Sequence, residues 1–320
     1  MKKNILITGG AGLIGYNLAE TLCKKHNIFI LDKPGQIKRN IKKLKKLKIK
    51  KFYKGLIEDE NLCNLVCKKK DIIVHLAAML GVKNTEENKF KCLMINLKGT
   101  ENIFNASLKN KVKRFIFASS SEVYGEPKKN PINENFKLDG KSIYAISKIL
   151  GEKIVMKKQS TIKTTIFRFF NTIGEGQVAQ FVVSKFVKAV LENKVVQING
   201  DGSQLRSYSN SIDIAMGIEN ALFNKKTYSK IYNLGNSKEP ISLYSLLKRI
   251  IKLTGKKKFK KIVYKKKFFD SDRSKEREIF KRYCSTNKAK KDFNFKLEKK
   301  LNDSLISIIN QKKIYSDWPK

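Results

Sequence analysis

Asn4-Ile-Leu-Ile-Thr8-Gly9-Gly10-Ala11-Gly12-Leu13-Ile14-Gly15 opens the chain, and Asn27-Ile-Phe-Ile-Leu31-Asp32 follows twelve residues later. The first apolar run is short and rich in β-branched residues, as a buried strand is. Leu13 to Lys25 carries apolar residues at helical spacing. The second apolar run ends in an acid. The order is therefore strand, glycine turn, helix, strand, carboxylate. Gly9 permits the tight turn, Gly12 lets a pyrophosphate approach the backbone, and Gly15 lets the helix sit close on the strands. The N–H groups of Leu13 and Ile14 and the helix dipole face such a phosphate. Asp32 stands where a carboxylate accepts from both hydroxyls of a ribose and repels a 2′-phosphate. The stretch predicts a dinucleotide site that favours NAD over NADP.

Beyond Asp32, strands and helices keep alternating. Strands are expected at Lys51–Tyr53, Asp71–Leu76, Val112–Ser120 and Thr164–Phe170. Helices are expected at Glu58–Cys67, Thr85–Asn110 and Ser142–Lys157. This pattern predicts an α/β fold, a Rossmann-type doubly wound parallel sheet. After Asn171 short strands, glycines and polar loops take over. The expected division is a dinucleotide-binding domain over residues 1–170 and a mainly substrate-binding lobe over 171–320, with the chain free to cross back. Gly255 to Lys281 is mostly charged and reads as a mobile loop or a partly disordered insertion.

The chain has 320 residues and a formal charge of +41, which raises the question of a polyanionic partner. Of the basic residues 61 are Lys and only 8 are Arg, whereas sequence-reading nucleic-acid sites lean on Arg. The lysines are spread along the whole chain. They read as solvated faces with weak, salt-sensitive polyanion binding and no specific nucleic acid. The densest run, Ile37 to Lys51, reads as a surface helix with Ile41, Leu44 and Leu47 as its apolar stripe. No run has the length of a membrane span, so no membrane insertion is expected. Cys23, Cys63, Cys67, Cys92 and Cys284 are scattered, and Cys63 and Cys67 sit at the spacing of one helix face. Reduced thiols, no metal site and a cytoplasmic location are expected. His75 reads as structural.

Tyr144 and Lys148 stand four apart on an expected helix, so both side chains share a face. Ser119-Ser120-Ser121 ends a strand before them. A neighbouring ammonium is expected to stabilise the phenolate and lower its pKa, while a serine hydroxyl holds the substrate oxygen. Such a trio removes a proton from a sugar or alcohol hydroxyl as hydride leaves the carbon.

With these residues in place, the chain resembles the extended short-chain dehydrogenases/reductases of the nucleotide-sugar epimerase/dehydratase family. The matching segments are Thr8 to Gly15, His75-Leu76-Ala77-Ala78, Asn96-x-x-Gly99-Thr100, Ser119 to Gly125, Tyr144-x-x-x-Lys148, Arg168-Phe169-Phe170-Asn171 and Gly200-Asp201-Gly202-Ser203-Gln204-x-Arg206. The resemblance implies that Ser120 is the catalytic hydroxyl, Tyr144 the base and Lys148 its partner on the nicotinamide ribose. It implies cofactor contacts at Gly9, Gly12, Leu13, Ile14, Gly15, Asp32, Leu76, Ala77, Ala78 and Asn96. It places a nucleotide-sugar substrate at Gly81, Val82, Ser120, Asn171 and Arg206, and the diphosphate also at Arg273 or Arg277. It implies a homodimer made through the helices around Asn88–Leu108 and Tyr144. The chain departs from the family pattern at Leu56, Ile143, Glu175 and Asn210. Glu122 reads either as a second acid/base or as a structural carboxylate. A 4-epimerase acting on a UDP-sugar through a 4-keto intermediate is the first expectation. A 4,6-dehydratase or a UDP-glucuronate decarboxylase is the alternative, then a simple reductase. A non-catalytic NAD-sensing or polyanion-binding protein is the remotest.

Overall fold

A computed structural model describes residues 1–256, 261–265 and 278–316. Six strands come first: β1 (Asn4–Thr8), β2 (Asn27–Asp32), β3 (Ile49–Lys54), β4 (Ile72–His75), β5 (Arg114–Ser120) and β6 (Lys163–Phe169). With the later strand Lys230–Leu234 they form one seven-stranded parallel sheet. Its spatial order is Lys230–Leu234, β6, β5, β4, β1, β2, β3. The order reverses between β1 and β4, and in doubly wound sheets ligands bind at such a switch point, beyond the carboxyl ends of the strands. Both faces of the sheet are covered. Ile5, Ile7, Ile28 and Ile30 pack toward α1 (Leu13–Leu22), α2 (Pro34–Leu44) and the helix Ser211–Leu222. Leu6, Leu31, Ile73 and Phe115 pack toward α3 (Glu60–Cys67) and the helix Gly99–Lys109. Burial on both faces explains why the inner strands β1 and β4 read as continuous apolar runs rather than alternating ones, whereas β3, at the sheet edge, carries exposed lysines.

A third apolar cluster holds the rest of the chain. Val183, Phe186, Val187 and Val190 from the helix Val182–Leu191 meet Leu246, Leu247 and Ile250 from the helix Leu243–Thr254, and Leu305 and Ile308 from the last helix, Leu301–Ile309. Short strands knit this part. Thr172–Ile173 pairs with Ser209–Asn210, and Leu205–Arg206 lies between Ile241–Ser242 and Lys281–Arg282. The helix Ser211–Leu222 packs in the first cluster, and the strand Lys230–Leu234 joins the large sheet beside β6.

Four expectations need correction. The basic run is not one helix from Ile37 to Lys51: α2 starts at Pro34 and stops at Leu44, and β3 begins at Ile49. Pro34 is pre-set for the first turn of a helix, which moves the start forward. The helical region from Thr85 to Asn110 is interrupted. A turn at Asn88 separates Val82–Glu87 from Lys89–Leu93, and a π-helical turn spans Met94–Lys98 before Gly99–Lys109. Within the charged stretch, Ile262–Lys265 is a strand paired in parallel with Val196–Asn199, so that part is ordered β-structure. Its alternating Ile262 and Tyr264 were hidden among lysines. Arg273 and Arg277 lie outside the described residues. The fourth correction concerns Tyr144.

Among the described residues no helix is long and apolar enough to cross a membrane, and no group of three His, Cys, Asp or Glu could hold a metal ion. All five cysteines are free and buried. His75 is buried and bonded on both ring nitrogens, to Thr8 Oγ1 at 2.7 Å and Thr100 Oγ1 at 3.1 Å. Burial, then Lys148 nearby, holds its pKa down to about 3, so it serves as a neutral strut between β1, β4 and the helix Gly99–Lys109.

Candidate active site

The glycine turn leaves β1 and packs on the chain that leaves β4. A side chain at Gly9, which has φ +69°, would stand 2.8 Å from the backbone nitrogen of Ala77. A Cβ at Gly15 would stand 2.3 Å from the Gly9 carbonyl oxygen and 2.7 Å from the Gly10 Cα, contacts that no backbone tolerates. So Leu76 and Ala77 lie against the turn, and α1 starts at Leu13 directly behind it. The peptide of Ala11 is held from both sides. Its N–H donates to Asp32 Oδ2 at 3.0 Å, and its carbonyl accepts from Gln36 Nε2 at 2.9 Å and Asn40 Nδ2 at 2.8 Å. Asp32 also accepts from the Lys33 N–H. Desolvation lifts the Asp32 carboxyl to about 6, against the pull of those two N–H groups. A half-buried acceptor at the end of β2, beside a helix N-terminus stripped of side chains, fits a dinucleotide with its ribose on Asp32 and its pyrophosphate on the turn.

Across the switch point, β5 delivers Ser120 and the helix Ile143–Lys157 delivers Tyr144 and Lys148. Ser142 caps that helix by accepting from the Ala145 N–H at 3.1 Å. Asn96 sits on the π-helical turn and locks the neighbouring segments. It accepts from the Met79 N–H at 2.7 Å and donates to the Ser147 hydroxyl at 3.2 Å. It therefore joins the loop after Ala78 to the helix of Tyr144. Gly81 has φ +90°, and Val82 opens the next helix; a Cβ at Gly81 would come within 3.0 Å of the Gln180 side chain.

Tyr144 and Ser120 share a hydrogen bond between their side chains. Lys148 is buried, donates to the Ala118 carbonyl at 2.8 Å, and lies 5.9 Å from the centre of the Tyr144 ring. The expected lowering of the Tyr144 pKa by Lys148 does not occur. Burial pushes the phenol up, the Glu122 carboxylate adds to this, and the Ser120 bond opposes it. The ammonium is committed to Ala118, and it is itself held down to about 8 by burial. The site thus keeps Tyr144 protonated until ligands change its surroundings.

Glu122 follows Ser120 on a short 3-10 turn. Its Oε2 accepts from the Ser142 hydroxyl at 3.2 Å, and its Oε1 lies 3.7 Å from Arg282 Nη2. No motif marks Arg282, because only strand pairing brings it here: Arg282 pairs in register with Arg206. Arg206 donates to the carbonyls of Leu205, Ile279 and Phe280 and lies 3.5 Å from Glu278 Oε1. Asn171 donates to the Ser207 carbonyl at 3.3 Å, and its own carbonyl accepts from the Ser209 N–H. The buried hydroxyls of Ser207, Tyr208 and Ser209 have no partner among the described residues. These hydroxyls and Gln180 carry no motif of their own; the only signal for the hydroxyls was their place next to Arg206 in the chain, and Gln180 had none. Two of the departures from pattern have local partners: Asn210 caps the helix Ser211–Leu222 and donates to Ser304, and Glu175 pairs with Lys43.

Residues 5–235 match the model of the NAD dependent epimerase/dehydratase family. The chain belongs to this family. NAD is the family's cofactor, and the glycine turn and Asp32 fit it. An uncharacterized UDP-glucose epimerase of Bacillus subtilis is 33% identical over 264 residues, covering 79% of this chain and 83% of the relative. A UDP-N-acetyl-alpha-D-glucosaminuronate decarboxylase of Bacillus cytotoxicus is 35% identical over 252 residues, covering 75% and 77%. The fold matches a Thermotoga maritima UDP-glucose 4-epimerase, solved with UDP-glucose, at a TM-score of 0.83 and 26% identity, over 95% of this chain and 97% of that one. Relatives in the family thus span epimerases, dehydratases and decarboxylases of nucleotide sugars.

Proposed function

We propose that this protein inverts C4 of a UDP-sugar through a transient 4-keto sugar. The observation that carries this reading is the engagement of Glu122. Dehydration and decarboxylation reshape the sugar beyond C4, and a second acid/base must serve them. Here one oxygen of Glu122 holds the cap of the catalytic helix and the other faces Arg282. That leaves the pair Ser120 and Tyr144, which is sufficient for oxidation and reduction at one carbon. NAD supplies the hydride acceptor and, in the return step, the donor. With ligands bound and its own proton released, the Tyr144 phenolate takes the proton of the C4 hydroxyl as the C–H bond breaks, and Ser120, bonded to Tyr144, steadies the same oxygen. Lys148 holds its charge below them and orients the nicotinamide ribose. For the return of hydride to the other face, the 4-keto sugar must turn over in the cleft.

Arg206 and Asn171, with Gly81 and Val82, are assigned to the nucleotide sugar, and residues 171–320 supply most of that surface. The hydroxyls of Ser207, Tyr208 and Ser209 are available to its polar groups. We assign the protein to the cytoplasm, as a homodimer. The dimer reading is supported by Phe90, Met94 and Ile146, large apolar side chains exposed on the helices around Asn88 and Tyr144. Light scattering that gives the mass of one chain contradicts the dimer.

A second reading is decarboxylation of a UDP-uronate, and Arg282 favours it. A buried guanidinium that faces Glu122 and acts on Tyr144 suits a sugar carboxylate at the reacting end. Incubation with UDP-glucose, UDP-N-acetylglucosamine and UDP-glucuronate separates the two. A product of unchanged mass with inverted C4 supports epimerisation, and loss of CO₂ supports the second reading.

A further inference from the structure

The loop from Gly174 to Phe181 reaches from the start of α1 to the segment at Gly81. At one end, a Cβ on Gly174 would lie 3.5 Å from the side chain of Leu13, the first residue of α1. At the other end, the Gln180 amide lies against Gly81. The loop thus stands between the residue behind the glycine turn and the segment at Gly81.

What holds this loop is the end of the chain. Gln311 Oε1 accepts from the Gly176 N–H at 2.8 Å, and the Tyr315 carbonyl accepts from the Ala179 N–H at 2.7 Å. Between them Ile314 is buried in the third apolar cluster, and its carbonyl accepts from Lys188 at 3.3 Å. The tail is fastened in turn to the helix that follows Asp32. The Arg39 guanidinium lies 4.0 Å from the centre of the Tyr315 ring. One helical turn later, Lys43 pairs with Glu175 of the loop itself at 2.5 Å. Two residues of α2, four apart and so on one face, thus reach the loop and its tether. The Lys43 pair is exposed and contributes little. The Arg39–Tyr315 contact, between a half-buried guanidinium and an exposed ring, carries the link.

We propose that Arg39 and Tyr315 are positioning residues that keep the loop from Gly174 to Phe181 closed over bound NAD, so that the dinucleotide stays in place between turnovers. This role rests on NAD binding by the family and not on which sugar is transformed. A carrier of hydride that is reduced and reoxidised within one catalytic cycle gains from slow release, and the latch supplies it without touching the cofactor.

The test uses the full chain and no substrate. NAD release is followed by fluorescence after the bound dinucleotide is chemically reduced and excess unlabelled NAD is added. Hydrogen exchange is read on peptides covering the loop and, as a control, β5. Tyr315→Ala and Arg39→Ala should each speed release by roughly twofold to thirtyfold, the range of one cation–π contact. Exchange should rise in the loop and remain unchanged in β5. Tyr315→Phe keeps the ring and should behave as the parent in both measurements. Release unchanged in the two alanine variants overturns the proposal. So does an equal effect of Tyr315→Phe, or a rise in exchange that includes β5, because either outcome makes Tyr315 a general stabiliser.

Discussion

Replacing Glu152 by Gln should cost more stability than any surface change in this chain. Glu152 lies two helical turns beyond Tyr144 and one beyond Lys148, so the three share a face. Its carboxylate accepts from Arg168 Nε at 2.9 Å and Nη2 at 2.7 Å, and from the Ser119 hydroxyl at 2.5 Å. The side chains of Arg168 and Glu152 are 4% and 5% exposed. Arg168 also donates to the Tyr124 hydroxyl, which donates to Asn233. Gln keeps the shape but leaves the Arg168 charge uncompensated and turns an amide N–H₂ toward a donor. Breaking one side of a buried pair costs about 3–5 kcal/mol. Urea unfolding should show that loss as a lower midpoint with the slope unchanged. The double variant Glu152→Gln/Arg168→Met removes the stranded charge and should recover part of the loss, with a coupling of about 1–3 kcal/mol. A loss below about 1 kcal/mol for Glu152→Gln, or simple additivity in the cycle, refutes the reasoning that this pair ties β6 to the helix Ile143–Lys157.

Tyr144→Phe should keep the fold and lose activity by about 10²- to 10⁴-fold, the scale of one general acid–base group, in a steady-state assay of sugar conversion. NAD affinity should fall as pH drops through about 6, where the raised pKa of Asp32 leaves the acceptor protonated; titration calorimetry between pH 5 and 8 reads it. The same shift has a stability sign: Asp32 binds its proton more tightly when folded, so its contribution falls as pH rises from 3.8 to about 6. Lys148 behaves the opposite way for its class, because its pKa is lowered to about 8. The unfolded chain binds more protons above that point, so stability of the NAD-free protein should gain from this group as pH rises from about 8 toward 10.5. Gly15→Ala should abolish NAD binding, since its Cβ would meet two backbone atoms of the turn; unchanged binding in a dialysis assay contradicts that geometry.

The parallel sheet was legible because buried strands write themselves as apolar runs, and the glycine turn is constrained by sterics. Ser120, Tyr144 and Lys148 were legible because a strand end and a four-residue helical step place them without help from distant chain. Arg282 was not, since its place depends on a strand that pairs with Leu205–Arg206 after a long charged stretch. The tail residues Gln311 and Tyr315 were hidden for the same reason: their partners are backbone N–H groups of a loop far away in sequence. The expected effect of Lys148 on Tyr144 failed because spacing fixes a shared face and says nothing of the carbonyl at Ala118 that takes the ammonium.

The most direct test of the account is the proton NMR and mass of the product formed from UDP-glucose, UDP-N-acetylglucosamine or UDP-glucuronate, with no reductant added, by the parent chain and by Glu122→Gln. The account predicts a product of unchanged mass with inverted C4, formed by the parent and, more slowly, by Glu122→Gln. Loss of water or CO₂ from the sugar, abolished by Glu122→Gln, contradicts it.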